Sequence, residues 1–505
     1  MKRSLLLAVA SGLVLSTCCV SAYTNKTFLM PRPQNIDLPM QSTTFHEFKQ
    51  RGERKFKGNL QISGFYKEST AESDLAKYFL IHGKSIINLP VSANITTDGA
   101  PISTSSTVTN DLDLGYIMHL LLPAANATTF NNETGIVKFG ADPYQTNYGL
   151  RFDYCQGLDA ILHGLYFYAN TPLVYLENKV RFSVASNPSP STGALTNPQT
   201  TIGQYFRGEY AASGAEYLTQ KLTYAKMGGT KTATGFADID LGLGYTFCNR
   251  ETHHASIAIA LTIPTGNKAK GEYVFEPIYG NGDHFALGAD LGGFRRLVGN
   301  FEHNLKVNIA GKYRYLFIHN EQRTLGIKGR NFGQYYLLGK AGAVADTPLI
   351  PAANLLTMPV DVTPGSQFDG IAGITYNYRG FSADLGYNLY YREAEKVSLR
   401  SAFVDSTYYI AARSFDTTAA FTPATTPAVV DGSNLATAVI NDSTIDTSVA
   451  QTPEQWTNGV YASLGYISSA GSNPWMLGVG GKYESPSRNS ALEQWGIWLK
   501  AGIGF

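Results

Sequence analysis

Charged residues are scarce in this sequence. They make up 16% of its 505 residues, whereas about a quarter is typical of globular proteins. Lysine and arginine together number 40, and aspartate and glutamate 39, which gives a net charge of +1. Such a balance produces no overall field that would attract nucleic acid or an acidic substrate. The composition therefore argues against nucleic-acid binding.

Cysteine is also scarce, with 4 residues in the chain. Cys18 and Cys19 fall within a leader described below, which leaves Cys155 and Cys248. Both belong to the polar face of alternating segments, on the second and fourth predicted strands. Because one strand lies between them, the two thiols would be roughly 10 Å apart, too far for a disulfide bond. We expect two free thiols rather than a disulfide framework.

Long apolar runs are missing after the first 22 residues of the chain. No stretch of about 18 apolar residues follows Ala22, so no transmembrane helix is predicted in the mature protein. The start combines two basic residues, an apolar stretch from Leu5 to Leu15 and a small-residue site ending at Ala22, which is typical of a secretory signal peptide over residues 1–22. A lipoprotein with an acylated Cys18 is the lesser alternative, because Thr17 fits poorly before the modified cysteine.

Glycine and aromatic residues are abundant instead. The chain has 50 glycine, 31 tyrosine and 26 phenylalanine residues, which suits strands, tight turns and the aromatic girdles of a membrane barrel. The strand that explains the rest of the chain is the last, from Glu493 to Phe505. Its odd positions are apolar from Trp495 onward, while its even positions hold glycine, Trp498 or Lys500, so one face is apolar throughout.

This final strand resembles the C-terminal strand of Gram-negative outer-membrane β-barrels, whose closing aromatic residue is read by the barrel-assembly machinery. The resemblance implies that Phe505 is an assembly signal and that the machinery is a partner. Taken alone, the pattern fits an edge strand of a soluble sandwich equally well.

The connections between alternating segments follow a regular rhythm. Pairs of segments are joined by a short turn, such as Arg379-Gly380 before Phe381, and then a long polar stretch follows. The count is about twelve strands, with a range of 12–16 because the long stretches at 69–135 and 395–455 could hide more. We predict an all-β fold: a transmembrane antiparallel up-and-down β-barrel over residues 58–505, with short periplasmic turns and long extracellular loops. A soluble sandwich has no reason to keep that rhythm.

Two segments outside the strands also carry expectations. Residues 23–57 contain three prolines and a basic cluster, which indicates an irregular segment that either lies in the periplasm or enters the lumen. After the first strand, Ser69-Thr-Ala-Glu72 has the pattern of a capping box and predicts a short helix through Phe79.

One hairpin carries a second resemblance. Residues Asp238 to Tyr245, followed by Ile257 to Gly266, resemble the barrels known as meta-pathway or phenol-degradation transporters and the wider group of porin-like channels. The resemblance implies a membrane channel that passes small, often aromatic, compounds.

The polar face of the strands predicts the lining of the lumen. Its charged residues can set ion selectivity if they form rings, or they can pair across the barrel and fill it, and the two signs are interspersed. The pore-lining candidates are Arg151, Asp153, Glu177, Lys179, Arg181, Asp238, Asp240, Asp290, Lys306, Lys312, Arg314, Asp369, Asp384, Lys482 and Lys500.

Few of these residues suggest chemistry. Asp238 and Asp240 could bind a cation or act as acid and base, but neutralisation by basic residues is the commoner outcome for paired carboxylates, and no third ligand stands near them in sequence. His254 and Ser256 suggest a hydrolase, but no acidic or amide partner is indicated by spacing. We therefore expect no enzyme activity, no cofactor and no metal.

The sequence as a whole predicts a porin-like channel in the outer membrane of a Gram-negative bacterium. It would contact outer-membrane lipid and serve passive or substrate-preferring diffusion of a small solute, as a monomer or a homo-oligomer. The alternative is a plugged structural or adhesive surface protein whose long loops bind a partner. A barrel hydrolase is the third possibility.

Overall fold

The computed structural model of the protein describes residues 23–52, 58–80, 83–90, 136–187, 203–210, 219–300, 302–340, 348–403, 407–410, 439–468 and 473–505. The expected signal peptide, residues 1–22, lies outside these ranges and stays a prediction. Among the described residues no helix is both long and apolar enough to cross a membrane.

Twelve antiparallel strands form a closed barrel. They are β1 (Gly58–Ser69), β2 (Ile136–Gly157), β3 (Leu165–Asn187), β4 (Ile239–Asn249), β5 (His253–Ile263), β6 (Ala286–Gly299), β7 (His303–Leu316), β8 (Gly365–Tyr378), β9 (Phe381–Arg392), β10 (Gln455–Ser468), β11 (Trp475–Pro486) and β12 (Gln494–Gly504). Each pairs with its sequence neighbours, and β12 pairs with β1 from Asn59↔Gly504 to Ser69↔Gln494. The predicted fold class and strand number are confirmed.

The two ends of the barrel differ, as the rhythm of the sequence predicted. Short turns, such as that between Tyr378 and Phe381, lie at the end that carries Phe505, which we name the short-turn end. The opposite end carries the long connections and is named the long-loop end. Toward it β2 and β3 run on together, from Gly157↔Tyr166 to Ile136↔Asn187.

One strand of the predicted alternation is interrupted. Near the short-turn end β3 pairs with β4, whereas nearer the long-loop end it pairs with a separate strand, Gly229–Phe236. The chain bends between them because the Asp238 carboxylate accepts hydrogen bonds from the backbone N–H groups of Thr265, Gly266 and Asn281 at 3.2, 3.1 and 2.7 Å. Asp238 is therefore an anchor for neighbouring loops.

The two faces of each strand are sorted by polarity. On β12 the outward side chains of Ile497 and Leu499 are 52% and 67% exposed, whereas the inward Trp498 and Lys500 are 3% and 1% exposed. In a barrel, the face that carries exposed aliphatic side chains on successive strands is the face that contacts lipid. The barrel is therefore built to stand in a membrane.

Aromatic side chains form a belt at each end of this apolar surface, as the membrane–water interfaces favour. Tyr148 and Tyr175 stack at 4.7 Å on the long-loop side, and Tyr154 and Phe505 stack at 6.4 Å on the short-turn side. Other exposed members of the two belts are Tyr245, Phe247, Tyr376, Tyr378, Phe381, Trp475, Phe285, Tyr313, Tyr315, Phe317, Trp456 and Tyr483.

The connections also contain regular structure. Among the described residues, the N-terminal segment forms α1 (Leu38–Ser42) and α2 (Phe45–Gly52), and the connections form α3 (Glu72–Phe79), α4 (Ala352–Leu356), a helical turn at 203–206 and single 3₁₀ turns at Gly333–Tyr335 and Ser448–Ala450. The short strands are Ile86–Pro90, Gly229–Phe236, His319–Thr324, Gly326–Ile327, Leu337–Lys340, Ile350–Pro351, Thr357–Thr363, Lys396–Leu399, Tyr408–Ile410 and Ile445–Asp446. The helix α3 was predicted, but its capping box is wrong: Ser69 ends β1 and its hydroxyl accepts from the Gln145 N–H.

The long connections pack together over one end of the barrel. Their apolar residues share a buried cluster that includes Tyr78, Phe206, Tyr335, Leu338 and Val360. The Tyr78 hydroxyl donates to the Phe28 carbonyl at 2.7 Å. The long-loop end therefore has a hydrophobic core of its own above the membrane belt.

The N-terminal segment, residues 23–52, runs through the lumen from one end to the other. Tyr23 contacts Asn489 at the long-loop end, while Phe45 and Phe48 of α2 pack against Ile467 and Met476 at the short-turn end. Between these ends, α1 follows Asp37, whose carboxylate caps the helix by accepting from the Met40 N–H. The structure thus places this segment inside the barrel.

Candidate functional site

The lumen holds a cluster of buried ions where the N-terminal segment meets the wall. The Arg32 guanidinium lies 2.9 Å from the Asp369 carboxylate, contacts the Glu484 carboxylate and stacks over the Tyr390 ring with 4.7 Å to its centroid. A buried charge is tolerated when it is paired and hydrogen-bonded, and Arg32 meets two acids from different strands, β8 and β11.

Asp37 is the second buried ion that the segment contributes. Its Oδ2 atom lies 2.6 Å from the Lys67 ammonium and 2.8 Å from the Lys482 ammonium, and its side chain is 0% exposed. Lys482 also lies 2.7 Å from Glu484. With Arg32 and Asp369, the cluster has three acids and three bases, so it is neutral as a whole.

Further polar contacts continue toward the short-turn end. The Lys500 ammonium donates to the Thr43 carbonyl at 2.8 Å and also to the Met40 carbonyl, which satisfies free carbonyls at the end of α1. Lys306 donates to both oxygens of Glu47 at 2.7 and 2.9 Å. The segment is therefore held by ion pairs and hydrogen bonds to the wall, together with apolar contacts such as those of Leu38 and Phe45.

Twelve of the fifteen pore-lining candidates have their side chains inside the barrel. They are Arg151, Asp153, Asp238, Asp240, Asp290, Lys306, Lys312, Arg314, Asp369, Asp384, Lys482 and Lys500. Most are paired: Arg151 donates to Asp153 at 3.0 Å and to the Asn35 carbonyl at 3.0 Å, and the Ser463 hydroxyl donates to Asp384 at 2.9 Å. Their charges therefore largely pair and fill the lumen.

The remaining three candidates, Glu177, Lys179 and Arg181, face outward, which corrects the sequence-based assignment. In β3 the inward positions are Val174, Leu176 and Asn178, whose amide oxygen accepts from Gln145 at 2.7 Å. Glu177, Lys179 and Arg181 lie beyond Tyr175 of the long-loop aromatic belt, where the usual rule of apolar residues outside no longer applies.

Asp240 and Asp290 belong to a second group of ions, on the wall of β4, β6 and β7. The Lys312 ammonium lies 4.0 Å from each carboxylate, and the Arg314 guanidinium lies 3.8 Å from Asp240 and is bonded to Asp290. Asp240 therefore faces bases, whereas Asp238 caps loops, so the two carboxylates do not act together on a cation.

A cavity of about 190 Å³ is left between the helices α1 and α2 and the wall. Leu38, Phe45 and Ile371 line one part of it, and Asp153 and Lys312 line another. A cavity of this size exceeds the roughly 150 Å³ that holds one benzene molecule. The space suits one small amphiphilic molecule or a few waters.

The residues that suggested chemistry lie at this cavity. His254 and Ser256 line it, but the Ser256 hydroxyl is directed at the Gly292 carbonyl at 3.5 Å and the His254 ring stacks on Phe294 at 5.7 Å. These contacts are typical of wall residues. Cys155 is buried beside the cavity, and neither Cys155 nor Cys248 forms a disulfide bond.

A third group of buried ions lies at the long-loop end. Glu321 contacts the His284 ring at 2.8 Å and the Arg323 guanidinium at 2.6 Å, and Arg323 lies 3.3 Å from the centroid of the Phe28 ring. Burial alone would raise the pKa of the Glu321 carboxyl, but Arg323 and His284 lower it to about 2. This group ties the loops to the N-terminal segment.

Comparisons with known proteins give only a general likeness. No protein-family model matches the chain, and no curated protein sequence matches it significantly. Among solved structures it is similar to an outer membrane channel of Pseudomonas putida F1, with 8% identity over 89% of this chain and 96% of that one and a TM-score of 0.36. It is also similar to the CymD monoaromatic hydrocarbon channel (9%, 95% and 99%, TM-score 0.27) and to the toluene transporter TodX of Pseudomonas putida (9%, 96% and 97%, TM-score 0.29). These likenesses are too distant to bear on function.

Sequence reasoning missed the residues that the N-terminal segment places in the lumen. Arg32, Asp37 and Glu47 stand in no alternating pattern, so strand periodicity could not find them. A signal did exist in the wall: an inward glycine on a strand can mark the close approach of another chain segment. A Cβ atom at Gly465 would meet the Thr44 side chain at 2.3 Å.

Proposed function

We propose that the protein is a gated channel of the Gram-negative outer membrane that admits small uncharged solutes, with the N-terminal segment as its removable plug. The observation that carries this proposal is the polar attachment of residues 23–52 to a complete barrel wall. The wall closes through its own strand pairs, and the plug contributes no strand to it. A segment of this kind can leave without opening the sheet.

The chemistry of the attachment supports reversible release. Ion pairs such as Arg32 with Asp369 are replaced by water and counter-ions when the plug moves into an aqueous space, so release costs far less than burying an isolated charge. The apolar side chains of the plug pack in separate clusters rather than in one continuous core. The barrel wall does not need to unfold when the plug leaves.

The preference for uncharged solutes follows from the balance of the wall. The twelve inward candidates comprise six basic and six acidic side chains, and opposite signs are interspersed within contact distance, as for Arg314 and Asp290. Selectivity for an anion or a cation needs a ring of one sign. A lumen without such a ring offers charged solutes no net attraction.

Single-channel recording in planar bilayers tests the proposal. We expect the full mature protein to be closed or to open briefly, and a variant lacking residues 24–52 to give larger and stable conductance. A deletion of residues 411–438, which is of similar length but lies in a long connection, is the matched control and should resemble the full protein. In liposome swelling, the plug deletion should admit glucose faster than gluconate.

The second candidate function is a plugged surface protein whose loops bind a partner. The buried cluster that joins Tyr78, Tyr335 and other loop residues favours it, because a mouth closed by a hydrophobic core gives a firm external surface. Absence of conductance from the full protein, from the plug deletion and from a variant that also lacks the long connections would favour this candidate over the channel.

A further inference from the structure

Three residues stand side by side across the place where the barrel closes. In the register of the sheet, Lys67 of β1 lies opposite Gly496 of β12, and Gly496 lies opposite Lys482 of β11. The two lysines therefore flank the terminal strand in a single row. Both reach over it to the same oxygen of Asp37, at 2.6 and 2.8 Å.

Gly496 makes this bridge possible. A Cβ atom at this position would meet Cγ of Lys67 at 2.9 Å and the Tyr66 carbonyl oxygen at 3.2 Å. A side chain there would therefore push the Lys67 stem out of the row. With glycine, the two ammonium groups can converge on Asp37 from the strands on either side.

Contacts one turn further along the segment touch the same strands. Lys500 of β12 donates to the Thr43 carbonyl at 2.8 Å, and Gln61 of β1 donates to the Gln41 carbonyl at 3.3 Å. Gln41 in turn donates to Asp153 of β2 at 2.9 Å. Residues 37–43 are thus bonded to β11, β12, β1 and β2, which are four consecutive strands around the point of closure. Leu38 also donates its backbone N–H to Asp369 of β8 at 2.9 Å.

We propose that residues 37–43 are an internal clamp on the seam between β12 and β1, in addition to filling the lumen. This seam joins the two ends of the barrel, from Asn59↔Gly504 to Ser69↔Gln494, so its closure carries the largest loop-closure entropy of the strand pairs. Asp37 offsets that cost by drawing the strands on both sides of β12 together. The clamp would act equally in a barrel that conducts nothing.

Hydrogen exchange measured by mass spectrometry tests the clamp. In Asp37→Asn, the backbone amides of residues 59–69 and 494–504 should exchange at least tenfold faster than in the unaltered protein, while those of 253–263 and 286–299 should be unchanged. Glu47→Gln is the matched control, because it weakens another buried ion pair of the same segment, with Lys306 of β7. It should leave the seam unchanged. Equal effects of the two variants at the seam, or no effect of Asp37→Asn, would overturn the proposal.

A second design covers the case in which Asp37→Asn gives no folded barrel. Cysteines replace Ile62 and Ala501, which are paired across the seam, in a background of Cys155→Ser and Cys248→Ser. Directly opposed positions have the Cα separation that a disulfide needs. This cross-link should restore folding, whereas the same cross-link between Leu385 of β9 and Ala462 of β10 should not. Restoration by both pairs, or by neither, would contradict the clamp.

Discussion

Tyr23 and Asn489 are joined by two hydrogen bonds. The Tyr23 backbone N–H donates to the Asn489 side-chain oxygen at 3.0 Å, and the Asn489 amide nitrogen donates to the Tyr23 carbonyl at 2.7 Å. Arg488 also donates to the Tyr23 hydroxyl at 2.7 Å. Tyr23 therefore lies at the long-loop end, whereas Gly58 starts β1 at the short-turn end beside Phe505.

This arrangement predicts that the N-terminus is reached from outside the cell. An epitope inserted between Ala22 and Tyr23 should bind antibody on intact cells, because cleavage after Ala22 would leave it next to Asn489 at the long-loop end, which we predict to be extracellular. The same epitope inserted at Ala160, in the turn between β2 and β3, should bind only after the cells are permeabilised. Protection of the N-terminal epitope on intact cells, with exposure of the one at Ala160, would contradict the prediction.

Arg32 should control how firmly the plug is seated. Arg32→Met leaves Asp369 and Glu484 without one buried partner, and breaking such a pair costs about 3–5 kcal/mol. We expect the plug to be released, so that a cysteine placed at Ser42 reacts at least tenfold faster with a membrane-impermeant thiol reagent. Arg207→Met is the control, because Arg207 pairs with Glu209 in a half-exposed site where about 0–1 kcal/mol is at stake.

The sequence predicted the wall better than its contents, and the reason is physical. Each wall strand must present apolar groups to lipid and polar groups to the lumen, so a period of two is imposed on residues such as Leu499 and Lys500. Beyond the aromatic belts the outward side chains no longer face lipid, so this constraint on the sequence ends. Glu177 and Lys179, which lie beyond Tyr175 of the long-loop belt, were accordingly assigned to the wrong face, because the inward positions beside them hold Leu176 and Asn178.

The plug could be proposed from its sequence but its contacts could not. Its proline content indicated irregular chain, yet the partners of Asp37 lie 30 and 445 residues away, at Lys67 and Lys482. Such pairs depend on the closed barrel and leave no local pattern. The charges of the wall were found, but their use in holding a plug depends on a segment that carries no periodic signal.

Acid should weaken the packing of the long connections over the long-loop end, because it protonates Glu321. Its folded pKa of about 2 lies below the ordinary value of 4.5, so the ionised form is stabilised by folding. The contribution is complete above about pH 4.5 and is lost as the pH falls toward 2. We expect pepsin to cleave the long connections increasingly over that range. In Glu321→Gln the cleavage should be faster at pH 4.5 and depend less on pH, whereas Glu209→Gln, at an exposed site, should behave as the unaltered protein.

The terminal strand provides the last prediction. Leu499 is 67% exposed on the outward face of β12, between the two aromatic belts, so Leu499→Arg places a charge against lipid at a cost of about 2–4 kcal/mol. Phe505 is 54% exposed and stacks on Tyr154 in the belt at the short-turn end, where a charge costs about 0–1 kcal/mol. Burial alone therefore predicts little harm from Phe505→Asp.

Recognition by the assembly machinery predicts the opposite for Phe505. If its ring is the assembly signal, Phe505→Asp should be exported normally but fail to insert, with loss of heat-modifiable migration on gels of the membrane fraction. The same variant refolded from urea into detergent, where no machinery acts, should fold as the unaltered protein does. Leu499→Arg should be impaired both in cells and when it is refolded into lipid bilayers. Leu499→Ala, which adds no charge, is the control. Normal insertion of both Phe505→Asp and Leu499→Arg in cells would show that this strand neither carries the signal nor faces lipid as described.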